Sequence, residues 1–159
     1  MTRVHSVIEN AIRLAVAGWE ELSEDEIHFY LISDSARKNA LQDSYNAERL
    51  DVPLEDTNLA FSSAPYVVLM AISQQSHKIQ MAVLLGILQR SLLSCGVWTF
   101  LHLPPSQDDP LARLFHEDLS SSSKSSLIPF ALLAVGYPTS NAQLLDHRPP
   151  LCQAVVESL

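Results

Sequence analysis

Glycine is scarce in this chain, with four residues among 159. The glycine-rich turns that cradle phosphates are absent: the sequence has neither a P-loop nor a dinucleotide-binding turn, and no G-x-S-x-G elbow. Cysteine is scarcer still. Cys95 lies in an apolar helical segment and Cys152 in an apolar tail, so both read as small core residues, and neither a disulfide framework nor a metal site is expected. Lysine and arginine number 10 against 18 aspartates and glutamates, a net charge of −8. With no basic cluster to neutralise phosphates, the balance argues against nucleic acid and against an anionic membrane as partners. Long apolar runs are missing too. The longest apolar helical segment, residues 81–93, is interrupted by Gln89, Arg90 and Ser91 and is too short for a bilayer. The opening MTRVHSVIENAIRLAV has no uninterrupted apolar core before a cleavage site, so no signal peptide is expected and a cytoplasmic protein is.

What is present is globular. Apolar residues make up 47% and charged residues 18%, which excludes a disordered chain, and the length suits one domain with a real core. Residues 4–16 repeat apolar side chains at helical spacing and close at Gly18-Trp19. An acidic connector, 20–26, precedes IHFYLI at 27–32, which reads as a strand. Ser33-Asp34-Ser35 is a helix-start signal, with the helix running over 36–50. Loop composition follows at 51–58, then a second buried strand at 66–72 after Ala64-Pro65, a short polar connection at 73–77, a helix at 78–95 and a strand at 97–103. Pro110 suits the first position of a short helix over 110–116. The serine-rich stretch 118–126 reads as a loop.

The run at 127–135 is apolar almost throughout and ends at Gly136-Tyr137-Pro138. It reads as a strand buried on both faces, inside a mixed or parallel sheet. Pro129 is tolerated only near its start. A terminal helix over 150–158 completes the pattern. Strands alternating with helices predict a layered α/β or α+β domain. The helix at 78–95 has no clean polar face, which predicts burial on both sides. A second subunit would cover one of them, the alternative being a central core helix in a monomer.

Six histidines are scattered without the i, i+4 pair of a helical metal site. His102, between a strand and a proline turn, is the best candidate acid or ligand; the ordinary alternative is a structural strand-end histidine. The connector at 20–26 could hold a cation, but its spacing fits no known loop motif and a solvated acidic loop is the commoner case. No metal site and no catalytic residue are assigned.

In their order, these segments resemble the nitroreductase family of flavin enzymes. The matching pieces are Phe29 to Asp34, Ala64-Pro65-Tyr66-Val67-Val68, the long helix ending in a small-residue turn, the proline-rich turn from Leu103, the strand ending Gly-Tyr-Pro, and Arg148 to Leu151. The resemblance implies a single domain over 1–159. It implies a three-layer α/β/α fold of the α+β class, with a central mixed sheet and a long buried helix at a dimer interface. It also implies FMN held between two subunits, NAD(P)H as donor, and a small electrophilic or peptide-like substrate. Of the family's flavin contacts, only the backbone amides of Ser106 and Gln107 and the side chain of Arg148 have counterparts here. An arginine fork suits a phosphate, and amides can tune a flavin edge; a surface arginine and an ordinary turn are the alternatives. The family's N-terminal arginine-serine motif has no counterpart. Its second ribityl-contacting segment is replaced by Ala17-Gly18-Trp19-Glu20-Glu21-Leu22, which places carboxylates where an anionic cofactor would sit. The chain therefore also reads as a degenerate subunit without flavin, serving as a binding or regulatory partner. It would form a homodimer or a heteromer with a related subunit, and a tetrapyrrole is the weaker ligand possibility.

Overall fold

The computed structural model describes residues 3–19, 22, 26–47, 60–104, 113–115 and 127–137. Its elements in chain order are α1 (Arg3–Ala17), β1 (Ile27–Ile32), α2 (Ser35–Ala47), α3 (Ala60–Ser63), β2 (Tyr66–Ser73), α4 (Lys78–Ser94), β3 (Trp98–His102) and β4 (Leu127–Gly136). These agree with the sequence expectation to within three residues wherever both speak. The helix expected at 150–158 lies outside the described residues, as does most of the one at 110–116, of which 113–115 form a helical turn.

The four strands form one sheet in the order β1-β2-β4-β3. Among the described residues every pairing is antiparallel, where the apolar run of β4 suggested a mixed or parallel sheet. Burial on both faces reports what covers a strand, not which way its neighbours run. Here helices cover both sides. Val68, Met70 and Ile72 of β2, with Ala131, Leu133 and Val135 of β4, pack under α1 and α4. Val67, Leu69 and Ala71, with Leu132 and Ala134, pack under α2, α3 and Phe115. The result is the three-layer α/β/α arrangement of an α+β domain. Pro129 opposes Ala71, and the register slips between Met70 and Ala71, so that Phe130 is the extra residue of a bulge. Proline is accommodated at such an interruption, and beyond the stretch of β4 that β3 pairs, because no regular ladder needs its missing donor.

α4 buries one stripe, Met81, Leu84, Leu85, Leu88 and Leu92, each contributing about 2–3 kcal/mol of apolar transfer. Its other side is not covered by the described residues. Ile79, Val83, Ile87 and Leu93 are exposed, so within one chain the helix is buried on one side, and the exposed side is the one a second subunit was expected to cover. Cys95 is exposed as well, a correction to its reading as a core residue: it follows the last buried turn of the helix, where apolar neighbours in sequence no longer share its side.

The end of α4 is a Schellman motif. The Val97 N–H donates to the Leu92 carbonyl (3.0 Å) and the Gly96 N–H to that of Leu93 (2.9 Å). Gly96 has φ 75°, and Leu92 and Val97 are both in the core. α2 begins on Asp34, whose Oδ2 accepts the Arg37 N–H at 2.9 Å. On the face of α2 shared by Leu41 and Tyr45 lie two buried polar residues, Lys38 and Gln42. The Lys38 Nζ donates to the Ala64 carbonyl (2.8 Å). The Gln42 Oε1 accepts the N–H groups of Phe61 (2.9 Å) and Ser62 (3.3 Å). Together they hold α3 and the Ala64-Pro65 step that feeds β2. On the neighbouring strand, a Cβ at Gly136 would lie 2.8 Å from Pro65 Cδ.

Four variants test these contacts. Gly96→Ala should cost about 1–2 kcal/mol through the left-handed backbone, and Gly136→Ala about 1–3 kcal/mol through overpacking against a proline ring. Gln42→Ala should cost about 1–3 kcal/mol, because it removes the acceptor of the buried Phe61 N–H and of the part-buried Ser62 N–H, whereas Gln42→Glu keeps an acceptor in place. Urea denaturation of the purified variants measures all four, with unchanged m-values expected.

Candidate functional site

β3 alternates its side chains between the two layers. Leu101 packs on the α1 and α4 side and Phe100 on the α2 side. Gln89 of α4 reaches the strand, its Nε2 donating to Thr99 Oγ1 at 3.1 Å. His102, the best histidine candidate from sequence, lies on the α2 side in an aromatic cluster. The Tyr45 ring stands edge-on to His102 (5.2 Å between centroids), to Phe100 (6.0 Å) and to Phe61 (5.5 Å). Such near-perpendicular stacking is packing geometry, and it gives His102 a structural role at the strand end. Among the described residues no group of histidine, cysteine, aspartate and glutamate is placed to hold a metal ion. Nor is any described helix long and apolar enough to cross a membrane.

Beyond His102 the chain continues through Leu103 and half-buried Pro104. Ser106, Gln107 and Arg148, the three residues the resemblance assigns to a flavin, lie outside the described residues, as does Cys152. Within the described residues the structure opens a different feature, a cleft of about 840 Å3 at the opposite end of α1 from its start. Its walls are the last residues of α1 with Gly18 and Trp19, the connection after β2, and the first turn of α4.

The local chain path explains the cleft. After β2 the backbone turns at once: the Ser76 N–H donates to the Ser73 carbonyl (3.0 Å) and the Gln75 N–H to Ser73 Oγ (3.3 Å). The Glu26 carbonyl anchors that turn to the start of β1, accepting from the Ser73 N–H (2.8 Å) and Ser76 Oγ (3.2 Å). His77 is the N-cap of α4, with φ −70° and ψ 105° and no side-chain cap hydrogen bond. Glu26, Gln75, Ser76, His77 and Gln80 supply the polar lining, Trp19, Leu22 and Met81 the apolar part. Among the described residues that line it there is no lysine or arginine. On β1, the rings of His28 and Tyr30 lie 4.5 Å apart, and burial raises the Tyr30 pKa above its ordinary value.

Lys38, Gln42 and this cleft escaped the sequence reading. For the first two a signal existed: they share the i, i+3, i+4 face of Leu41 and Tyr45, but a helix of mixed polarity hides which polar residues turn inward. The cleft has no sequence signature, because it is formed by three segments distant along the chain.

No family model and no curated protein sequence matches the chain. Solved structures do match in fold. A nitroreductase with bound FMN from Bacteroides fragilis has a TM-score of 0.65 at 15% identity, covering 100% of both chains. An oxidised iodotyrosine deiodinase bound to FMN and 3-iodo-L-tyrosine has a TM-score of 0.64 at 17% identity, covering 88% of this chain and 82% of its own. An FMN-dependent nitroreductase from Clostridium difficile has a TM-score of 0.62 at 11% identity, covering 87% of this chain and 78% of its own. At such identities the likeness lies in backbone architecture. The antiparallel sheet, its two helical layers and the long α4 give this chain the nitroreductase fold.

Proposed function

We propose that the chain is a subunit of an FMN-dependent oxidoreductase, working as a pair of subunits with NAD(P)H as donor and a small electrophilic or peptide-like acceptor. The observation that supports this most is the match over the full length of both chains to a nitroreductase carrying FMN. In such an enzyme the flavin supplies the redox chemistry, and the protein supplies binding, orientation and hydrogen bonds. The described residues that line the cleft beside α4 do not fit the phosphate end of FMN. The cleft beside α4 carries the Glu26 carboxylate and neither lysine nor arginine, and a carboxylate opposes a bound dianion. The reading therefore assigns the flavin contacts to Ser106, Gln107 and Arg148, and no catalytic step is derived through the cofactor.

A second reading is supported by that same cleft. A nitroreductase-fold subunit that has given up flavin would have no use for a cationic phosphate site. It would act as a binding or regulatory partner, beside a second copy or a related subunit.

Visible absorbance of the purified protein, before and after adding FMN and desalting, separates the two. The first reading expects a flavin band that co-migrates with the protein, and Arg148→Ala should weaken retention by roughly tenfold or more, as loss of a charge-assisted phosphate contact does. A protein that stays colourless after FMN addition overturns the first reading in favour of the second. A sharp band in the violet instead would point to a tetrapyrrole.

A further inference from the structure

β1 is the outermost strand on one side of the sheet among the described residues. Its pairing with β2 fixes which of its backbone groups are used. The Ser73 N–H donates to the Glu26 carbonyl, and the register sets Ile27 against Ile72 and Ile32 against Val67. In an antiparallel ladder the bonded pairs fall on every second residue. His28, Tyr30 and Ile32 therefore bond to β2, whereas Ile27, Phe29 and Leu31 turn their N–H and C=O groups away from it. Those outward groups have no hydrogen-bond partner among the described residues. The strand reads IHFYLI, without proline or any lysine, arginine, aspartate or glutamate. Natural edges are usually guarded by such residues, by a bulge or by shortness. β1 is six residues long, and its register with β2 runs unbroken.

We propose that this edge is a docking site for an extended segment of a partner protein, which adds as a further strand beside β1 and is basic at the end lying next to Glu26. A bare row of alternating donors and acceptors is complementary to extended backbone, and main-chain bonds of this kind carry strand addition. The side chains beside the row set the pattern of the segment. Ile27, Phe29 and Leu31 lie on the α1 and α4 side, with Phe29 and Leu31 only partly buried, and favour apolar residues opposite them. His28 and Tyr30, on the other side with their rings 4.5 Å apart, are half-buried and suit polar ones. Charge chooses the end. Glu26 directly precedes the edge, and residues 20–26 carry five carboxylates and no basic residue. Glu26 also lines the cleft beside α4, which leaves space for a long basic side chain at that end. A second copy of this chain is disfavoured at this edge, since each copy carries a net charge of −8 and the two acidic approaches would repel.

Amide hydrogen exchange of the whole chain, read residue by residue by NMR, tests this. In the protein alone the Phe29 and Leu31 amides should exchange fast, while those of His28 and Tyr30, bonded to β2, are protected. The probe is a capped peptide as long as β1, alternating valine and threonine, with a lysine at each end so that either strand direction meets Glu26. At saturation the Phe29 and Leu31 amides should slow by about tenfold or more. Two versions of the peptide, N-methylated on its valines or on its threonines, lose the donors of opposite edges. One of them should bind about tenfold or more weaker than the other. With glutamates in place of the end lysines, binding should weaken by about threefold or more at low salt, and the gap should narrow with added salt and in Glu26→Gln. That substitution leaves the turn after β2 intact, because the turn uses the Glu26 carbonyl. Phe29 and Leu31 amides already protected in the protein alone would mean that the edge is held by the chain itself or by a second copy, and would overturn the proposal. So would a peptide that leaves both amides fast, equal binding of the two methylated versions, or indifference to the charge of the peptide ends. No readout depends on FMN, so this surface stands or falls apart from the flavin.

Discussion

The pairing of β2 with β4 is the constraint on which the rest of the structure depends. Both strands are apolar on both faces, with six consecutive buried residues in β2 and five in β4. A sheet with such a centre must be covered from above and below, since leaving either face to water would expose a contiguous apolar surface that a monomeric domain rarely tolerates. The helices are therefore distributed between the two sides. α1 and α4 share one and α2 with α3 the other, while β1 and β3 take the edges, where burial is only partial.

The two covering layers are held by different physics. On the α1 and α4 side, leucine, isoleucine and valine interdigitate, and the helix end is fixed by Gly96 and by Val97 folding back onto Leu92. On the α2 side the contact is partly polar. Lys38 and Gln42 are buried and bonded to the backbone around α3, and the aromatic rings of Tyr45, Phe61 and Phe100 fill the rest. A polar clamp specifies position more sharply than apolar contact, because a shifted α3 would leave buried donors unsatisfied. It acts where precision is needed. Pro65 approaches Gly136 too closely for a Cβ, so the entry of β2 has little freedom beside β4.

The fold was legible where one signal dominated. IHFYLI gave β1 at its observed bounds, Asp34 marked the start of α2, and the small residues at 94–96 marked the end of α4. Strand direction was not legible, because β4 owes its apolar run to helices on both sides, an arrangement that parallel and antiparallel sheets share. Cys95 was misread for a related reason: sequence neighbourhood averages over a helix turn, whereas exposure is decided by angle around the axis. The candidate site was less legible than the fold. Packing constrains many residues at once and leaves a period in the sequence, while a binding site uses a few polar groups on connecting segments, where no period applies. Ser106, Gln107 and Arg148 came from resemblance alone, and the cleft beside α4 from none of the sequence signals.

This difference between framework and site also explains how backbones so alike can occur at 11–17% identity. The framework asks only for apolar residues of suitable volume in the right period, so the shared fold does not carry the chemistry with it. Glu26 is instructive here. Its backbone carbonyl holds the turn after β2, accepting from Ser73 and Ser76, and any residue could supply that carbonyl. The turn and the cleft beside it thus survive whatever side chain stands at position 26, and those bonds do not account for the carboxylate. The polar lining of the cleft comes from Glu26, Gln75, Ser76, His77 and Gln80 together, residues on connecting segments and a helix start, so its chemistry follows from those residues and not from the fold.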